Sequence, residues 1–306
     1  MGRTLGRDFT LSSGVNIHAE LSQFYKLGKK GETPILCLSG FGCSHYNFSF
    51  IEKEMGEEHP MILIDNRGLG NSSPVNDEYQ LQALADDALE VMDQMGIDRF
   101  ILFGISMGGF VAQLLTLTAP ERVEKLALLC TTSGGLTFIP LPEMTEEMLT
   151  AFYQIPEPKR TESAIAATVH PSLGKNNPNL LKEIIELRKA HPVDTEQVLK
   201  QKRAVDGFLR ESIPIHTISC PTLIMTGSDD RFVNPYNATI LQANIKQAYI
   251  ASIPVTDHLF FFESAEAVSR ELIKLVEGQF DRPHSSESKL NQLANPLARE
   301  EAGAPL

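Results

Sequence analysis

The residues of this chain best suited to chemistry are one serine, one histidine and a pair of aspartates. Ser106 lies in Gly104-Ile105-Ser106-Met107-Gly108-Gly109, directly after the apolar run 100–103 and directly before a helical stretch, 110–118. A nucleophile at such a strand-to-helix turn sits in a strained backbone conformation, and glycines two residues to either side provide clearance for it. The helix behind it points free N–H groups and the positive end of its dipole at the hydroxyl. A glycine-rich turn with an incidental serine has the same local pattern. What separates the two is the supply of partners, because a serine hydroxyl needs a base within hydrogen-bond reach and a third group to orient that base.

Of the eight histidines, His258 alone follows a core-strand pattern, 249–253, across a short loop near the end of the folded region. It is the expected base. For the acid, Gly227-Ser228-Asp229-Asp230 comes immediately after the apolar run 222–225. Two adjacent carboxylates are available there; Asp230 is assigned to the histidine and Asp229 to capping the turn. All three side chains then fall at the carboxyl edge of a sheet, where open α/β sheets bind ligands. The developing oxyanion needs backbone donors: Met107 offers one, and Phe41 in Ser39-Gly40-Phe41-Gly42 offers the second. The chemistry such a set would support is attack of a serine on a carbonyl carbon.

The elements that must position these residues follow from periodicity. Alternating Phe9 and Leu11, the turn Ser12-Ser13-Gly14, then Val15, Ile17, Ala19 and Leu21 read as a hairpin with one buried face. Short, nearly continuous apolar runs at 35–38, 61–64, 100–103, 126–129, 222–225 and 249–253 read as parallel strands covered on both faces. Leu81, Leu84, Ala85, Ala88, Met92 and Met95 return at helical spacing until Gly96 stops them. The expected fold class is α/β, a mostly parallel central sheet wrapped by helices.

Between about 135 and 218 the alternation stops and helical candidates dominate, at 143–154, 161–169, 178–189 and 195–208. The expected division is a core of 1–135 and 218–280, an all-helical insertion of 136–217, and a flexible polar tail of 281–306. Met144, Met148 and Phe152 recur at i, i+4, i+8 and are candidates to line the roof of a substrate pocket, with core packing as the plainer fate of the same stripe.

Composition narrows the partners. The 306 residues carry a formal charge of -12 and no Lys/Arg cluster that would track a phosphate backbone, so no nucleic acid partner is expected. No apolar stretch approaches the roughly 18 residues needed to cross a bilayer, and no hydrophobic signal core opens the chain, so a cytoplasmic protein is expected. Cys37, Cys43, Cys130 and Cys220 form no C-x-x-C pair and read as reduced core residues. Dinucleotide fingerprints fail because His45 and Ser73 stand where a third glycine is required. No phosphate loop and no zinc spacing occurs, so neither cofactor nor metal is expected.

The order Ser106, Asp230, His258 resembles that of the α/β-hydrolase fold superfamily, in the group with a helical cap after the sixth strand, and the resemblance covers roughly 8 to 278. Asp65-Asn66-Arg67-Gly68-Leu69-Gly70-Asn71-Ser72 is similar to the family's D-x-R-G-x-G-x-S turn, and Ala119-Pro120-Glu121-Arg122-Val123 resembles its end to the helix after the nucleophile. Two positions depart from the pattern. Ser39-Gly40 stands where His-Gly is common, and Asp257 precedes the histidine where glycine is frequent, adding a carboxylate that would raise the base's pKa or point to water. The resemblance implies a serine hydrolase acting on small to medium carboxylic esters, thioesters or lactones, with a small-molecule acyl substrate as its partner. It also admits C–C bond hydrolysis, perhydrolase or haloperoxidase-like chemistry, proline-iminopeptidase-like activity, or a ligand-binding member without turnover. Haloalkane dehalogenases and epoxide hydrolases use Asp where this chain has Ser106.

Overall fold

The computed structural model describes residues 5–22 and 33–280. The opening hairpin pairs β1 (Leu5–Thr10) with β2 (Asn16–Leu21), Phe9 opposite Ile17. Six further strands follow: β3 (Ile35–Leu38), β4 (Met61–Ile64), β5 (Phe100–Ile105), β6 (Val123–Leu129), β7 (Thr222–Gly227) and β8 (Ala248–Ile253). They lie in one eight-stranded sheet of order β1-β2-β4-β3-β5-β6-β7-β8, parallel from β4 to β8, with β2 antiparallel to both of its neighbours.

The apolar runs are continuous because each strand feeds two cores. Leu36, Leu38, Leu102, Leu126, Leu128 and Ile224 point to one face, where α2 (Gln82–Gln94), α3 (Met107–Thr118) and α9 (Tyr236–Asn244) cover them. Ile35, Cys37, Phe103, Leu129 and Met225 point to the other, against α1 (Ser49–Met55), α10 (Phe260–Glu263) and α11 (Ala265–Val276). Successive side chains on a strand alternate between faces, so a strand buried on both sides has no polar positions to spare.

Between β6 and β7 lie α4 (Glu146–Tyr153), α5 (Lys159–Thr168), α6 (Leu173–Asn176), α7 (Pro178–Lys189) and α8 (Thr195–Arg210). Their starts are set by capping side chains: Thr145 accepts the Met148 amide, Asn177 the Leu180 amide ahead of Pro178, and Asp194 the Gln197 amide. Each such cap is worth about 1 kcal/mol. The insertion shares both cores: Phe208 of α8 stacks on Phe110 of α3 at 4.7 Å between ring centroids, and Ile165 and Ile184 join the opposite cluster. Among the described residues no helix is long and apolar enough to cross a membrane. The tail expected from 281 lies outside the described residues.

All four cysteines are free thiols, but only Cys37 and Cys130 are core residues; Cys43 and Cys220 are partly exposed. Cys43 lies in the loop after β3 and Cys220 just ahead of β7, both outside the strands themselves. Burial holds the Cys37 and Cys130 thiols well above their ordinary range and pushes Cys220 up to about 11.

Candidate active site

Ser106 follows the last residue of β5 and precedes the first of α3, with φ 54° and ψ -117°. A non-glycine residue holds such a conformation only where its surroundings over-determine it. Here the Ser106 amide donates to Leu129 O at 2.8 Å, and its carbonyl accepts from Gly109 N at 2.8 Å and from Thr131 Oγ1 at 2.8 Å. The flanking glycines are demanded by close approach. A Cβ on Gly108 would lie 2.0 Å from the Leu38 carbonyl oxygen, and one on Gly104 would lie 2.4 Å from the Gly108 carbonyl oxygen.

Asp230 follows β7 and His258 follows β8, so three loops leave the same edge of the sheet. His258 Nε2 is 3.1 Å from Ser106 Oγ, and His258 Nδ1 is 2.9 Å from Asp230 Oδ2. The other Asp230 oxygen, Oδ1, accepts from the amides of Phe232 at 2.9 Å and Val233 at 2.8 Å, which fixes the rotation of the carboxylate. Asp229 is turned outward, its side chain 54% exposed and bonded to Ser228 Oγ at 2.6 Å. The loops that carry Asp230 and His258 pack closely because residue 227 is glycine: a Cβ there would be 2.4 Å from the Asp257 carbonyl oxygen. The Phe232 ring packs on the imidazole at 5.0 Å.

Asp257 neither faces water nor sits free beside the base. It is fully buried, Oδ2 accepting from Arg231 Nε at 2.5 Å and Oδ1 from the amides of Arg231 at 2.9 Å and His258 at 2.8 Å. Arg231 Nη2 in turn reaches Val169 O at 2.9 Å, and Leu259 N donates to Thr168 O at 2.9 Å, so the histidine loop is tied to the end of α5. Glu263 accepts from Asp257 N and His170 N, both at 3.0 Å, and burial raises its pKa.

The loop after β3 runs alongside the serine: a Cβ on Gly40 would be 3.5 Å from Ser106 Cβ. Gly40 N donates to Asn47 Oδ1 at 3.0 Å and Gly42 N to Gln201 Oε1 at 2.7 Å. Neither the Phe41 nor the Met107 amide has an acceptor among the described residues, and both residues line the cavity that holds Ser106. In the place of the usual histidine, Ser39 Oγ donates to Ser44 O at 2.8 Å. Asp65, fully buried, braces the same region by accepting from His45 N at 2.7 Å and Asn71 N at 2.8 Å. Gly70 lies so close that a Cβ would fall 2.2 Å from the Asp65 carboxylate, which accounts for the second glycine of that turn.

The cavity over Ser106 measures about 460 Å³. Phe110, Phe138, Leu141, Met144, Val205, Leu209 and Phe232 supply its apolar wall, with Glu143, Lys202, Asp206 and Arg210 also on it. Of the stripe Met144, Met148 and Phe152, only Met144 is on this wall. Met148 is 55% exposed, and Phe152 lines a separate small pocket with Tyr153 and Arg188. The stripe breaks because α4 begins at Glu146, leaving Met144 on the extended lead-in rather than on the helix. The sequence reading missed Val205 and Leu209, whose i, i+4 spacing on α8 could have signalled them, and Phe138 and Leu141, which lie ahead of α4 outside any helix. Among the described residues no group of three or more His, Cys, Asp or Glu side chains could hold a metal ion.

The family model described as alpha/beta hydrolase fold matches residues 33–265, and the chain belongs to that family. It is 27% identical over 258 residues to a poly(3-hydroxyalkanoate) depolymerase of Ectopseudomonas oleovorans, covering 83% of this chain and 88% of that one. It is 30% identical over 220 residues to a 2-hydroxy-6-oxononadienedioate/2-hydroxy-6-oxononatrienedioate hydrolase of Klebsiella pneumoniae subsp. pneumoniae, covering 66% and 73%. Among solved structures, the enol-lactonase from Burkholderia xenovorans LB400 shares the fold at a TM-score of 0.75 and 20% identity, covering 89% of this chain and 100% of that one. Both of these curated relatives are hydrolases.

Proposed function

We propose that this protein is a serine hydrolase for small to medium carboxylic esters, thioesters or lactones, with Ser106, His258 and Asp230 as its triad. Ser106 Oγ attacks the carbonyl carbon while its proton passes to His258 Nε2, and Asp230 steadies the imidazolium through Nδ1. The Phe41 and Met107 amides receive the oxyanion of the tetrahedral intermediate. Its collapse breaks the acyl–oxygen or acyl–sulfur bond, and His258 returns the proton to the leaving group. Water, deprotonated by His258, then attacks the acyl-enzyme and frees the carboxylic acid and the serine. The observation that carries the reading is the unbroken relay from Ser106 Oγ through His258 to a buried Asp230, at 3.1 and 2.9 Å, opening on an apolar cavity.

The substrate class follows from the wall. Its four charged residues sum to zero, two acids against two bases, and Lys202 and Asp206 are already paired at 2.5 Å. A site of that kind favours an uncharged acyl chain, as in an ester of an aliphatic or aromatic acid, over a dioate of the sort named for the Klebsiella relative. A 3-hydroxyalkanoate unit, of the polymer named for the depolymerase, fits this wall better. The insertion acts as a cap, α8 and the segment before α4 closing the cavity over the serine.

The test is labelling with a fluorophosphonate probe, wild type against Ser106→Ala, followed by p-nitrophenyl esters of increasing chain length and a lactone and thioester panel. Labelling confined to wild type, with turnover of neutral esters, supports the reading. An unlabelled wild type would point to a ligand-binding protein instead, and turnover confined to C–C bonded dioates would displace the ester assignment.

A further inference from the structure

The loop that offers Phe41 N to an oxyanion is held one peptide at a time. Gly40 N, on the peptide between residues 39 and 40, donates to Asn47 Oδ1 at 3.0 Å. Gly40 O, on the next peptide, accepts from Cys43 N at 3.2 Å. Gly42 N, on the third, donates to Gln201 Oε1 at 2.7 Å, and Gly42 O, on the fourth, accepts from Arg188 Nη1 at 2.6 Å. Four successive peptide planes are pinned, and the Phe41 N–H is the one amide of residues 40 to 43 left free to donate. The first two anchors belong to the core. The last two come from the insertion, Gln201 on α8 and Arg188 on α7.

The insertion's anchors grip the part of the turn that local preference leaves least determined. Gly42 has φ +60°, and in a four-residue turn the central peptide has two orientations of opposite sense, one of which requires positive φ at the third residue. The bond from Gly42 N to Gln201 selects that orientation. Arg188 holds the following peptide and also donates to Tyr46 Oη at 2.7 Å, so its guanidinium is itself fixed against the 3-10 turn that carries Asn47.

Gln201 also shows a cost that packing alone does not explain. The residue is fully buried, and its Nε2 has no hydrogen-bond partner among the described residues. A buried amide donor without a protein acceptor is unfavourable, and an apolar residue of similar length would avoid it. The fold tolerates the orphaned donor at the position where the acceptor on the same side chain meets the oxyanion loop.

We propose that Gln201 and Arg188 are positioning residues for the oxyanion donor Phe41, so that the helical insertion contributes to the chemical step and not only to covering the cavity. The proposal rests on the serine acyl-transfer reading above. It assigns these residues no contact with substrate: neither lines the cavity that holds Ser106. Their effect is confined to charge that develops on the carbonyl oxygen, which is present in the transition state and absent from bound substrate or product.

The test compares Gln201→Met, which keeps length and removes the acceptor, with Gln201→Glu, which keeps an acceptor oxygen. With p-nitrophenyl butyrate, Gln201→Met should lose roughly 10- to 100-fold in kcat, less than outright removal of a donor, with KM within about threefold of wild type. Gln201→Glu should recover most of the loss. Inhibition by an alkyl trifluoromethyl ketone, whose serine adduct carries the oxyanion, should weaken in step with kcat/KM, while inhibition by butyrate stays unchanged. Wild-type kcat in folded Gln201→Met, or equal losses in ketone and butyrate binding, would overturn the proposal. Should Gln201→Met fail to fold, Arg188→Met is expected to give the same split, and wild-type kcat there overturns it equally. Failure of both to fold, beside a folded and active Gln201→Glu, would assign the pair to stability and defeat the claim. Fluorophosphonate labelling separates this from the parent reading: an unlabelled wild type removes the serine hydrolase itself, whereas equal labelling rates in wild type and Gln201→Met remove only the positioning role.

Discussion

Replacing Asp230 by Asn tests the relay at the point where geometry and chemistry can be separated. Asp230 Oδ1 is committed to two backbone donors, Phe232 N at 2.9 Å and Val233 N at 2.8 Å, so the asparagine oxygen must occupy that side. The NH2 group then faces His258 Nδ1, 2.9 Å from the present Oδ2. Two N–H groups cannot face each other there, and the imidazole takes the tautomer with its proton on Nε2. Nε2 lies 3.1 Å from Ser106 Oγ, and in that tautomer it cannot accept the serine proton. The expected loss in kcat is about 10⁴-fold, equivalent to roughly 5.4 kcal/mol of activation free energy, with little change in KM or in melting temperature. The remaining rate should climb with hydroxide concentration, because solvent must take the proton that His258 cannot. Steady-state hydrolysis of p-nitrophenyl butyrate across pH, beside circular dichroism melts, reads both effects. Asp229→Asn is the control and should stay within about threefold of wild type, since that carboxylate bonds Ser228 and faces solvent. A folded Asp230→Asn enzyme within about tenfold of wild type would refute the reasoning, because the carboxylate would then not be setting the tautomer.

Two further outcomes follow from the turn at Ser106 and from His18 on β2, whose carbonyl accepts from Asp65 N at 2.9 Å. Gly108→Ala places a methyl 2.0 Å from the Leu38 carbonyl oxygen, a backbone atom that cannot swing aside, and should destabilise the protein by more than about 4 kcal/mol; a soluble variant melting near wild type would show that the turn can relax. His18 has its pKa raised: burial opposes the charged form, but hydrogen bonds to Asp8 and Glu20 outweigh it. Its stabilising contribution is therefore present in full below the ordinary value of 6.5 and lost as the pH rises through the folded value. Melting temperatures of wild type should fall relative to His18→Gln as the pH is raised above the ordinary value of 6.5, and parallel curves would show that the ring's ionisation is not linked to folding.

Legibility differed by how far apart the interacting residues lie. The six parallel strands were readable from apolar runs because burial on both faces leaves a local compositional mark, and Ile35–Leu38 and Met61–Ile64 match the runs end to end. The glycines around Ser106 were readable because the turn they permit is itself local. Asp257 was not: its type suggested a charge beside the base, whereas its neutralisation by Arg231 depends on two loops packed across Gly227. The pocket stripe failed for a similar reason. Spacing alone joined Met144 to Met148 and Phe152, but the capping bond from Met148 N to Thr145 starts the helix too late to include the first of them.

By itself the sequence determined which atoms were available for the proposed acyl transfer and which edge of the sheet they would occupy, since the succession of strands along the chain and the residues after each strand are properties of the chain as written. Only the tertiary structure decided which groups were free to act. The Phe41 amide is available because Asn47, Cys43, Gln201 and Arg188 occupy its neighbours, and Asp229 is excluded because its carboxylate turns to Ser228. Hydrogen bonds saturate: once a donor or acceptor is engaged by a residue more than a hundred positions away, as Gly42 N is by Gln201, no local pattern of residue types records that it has been used.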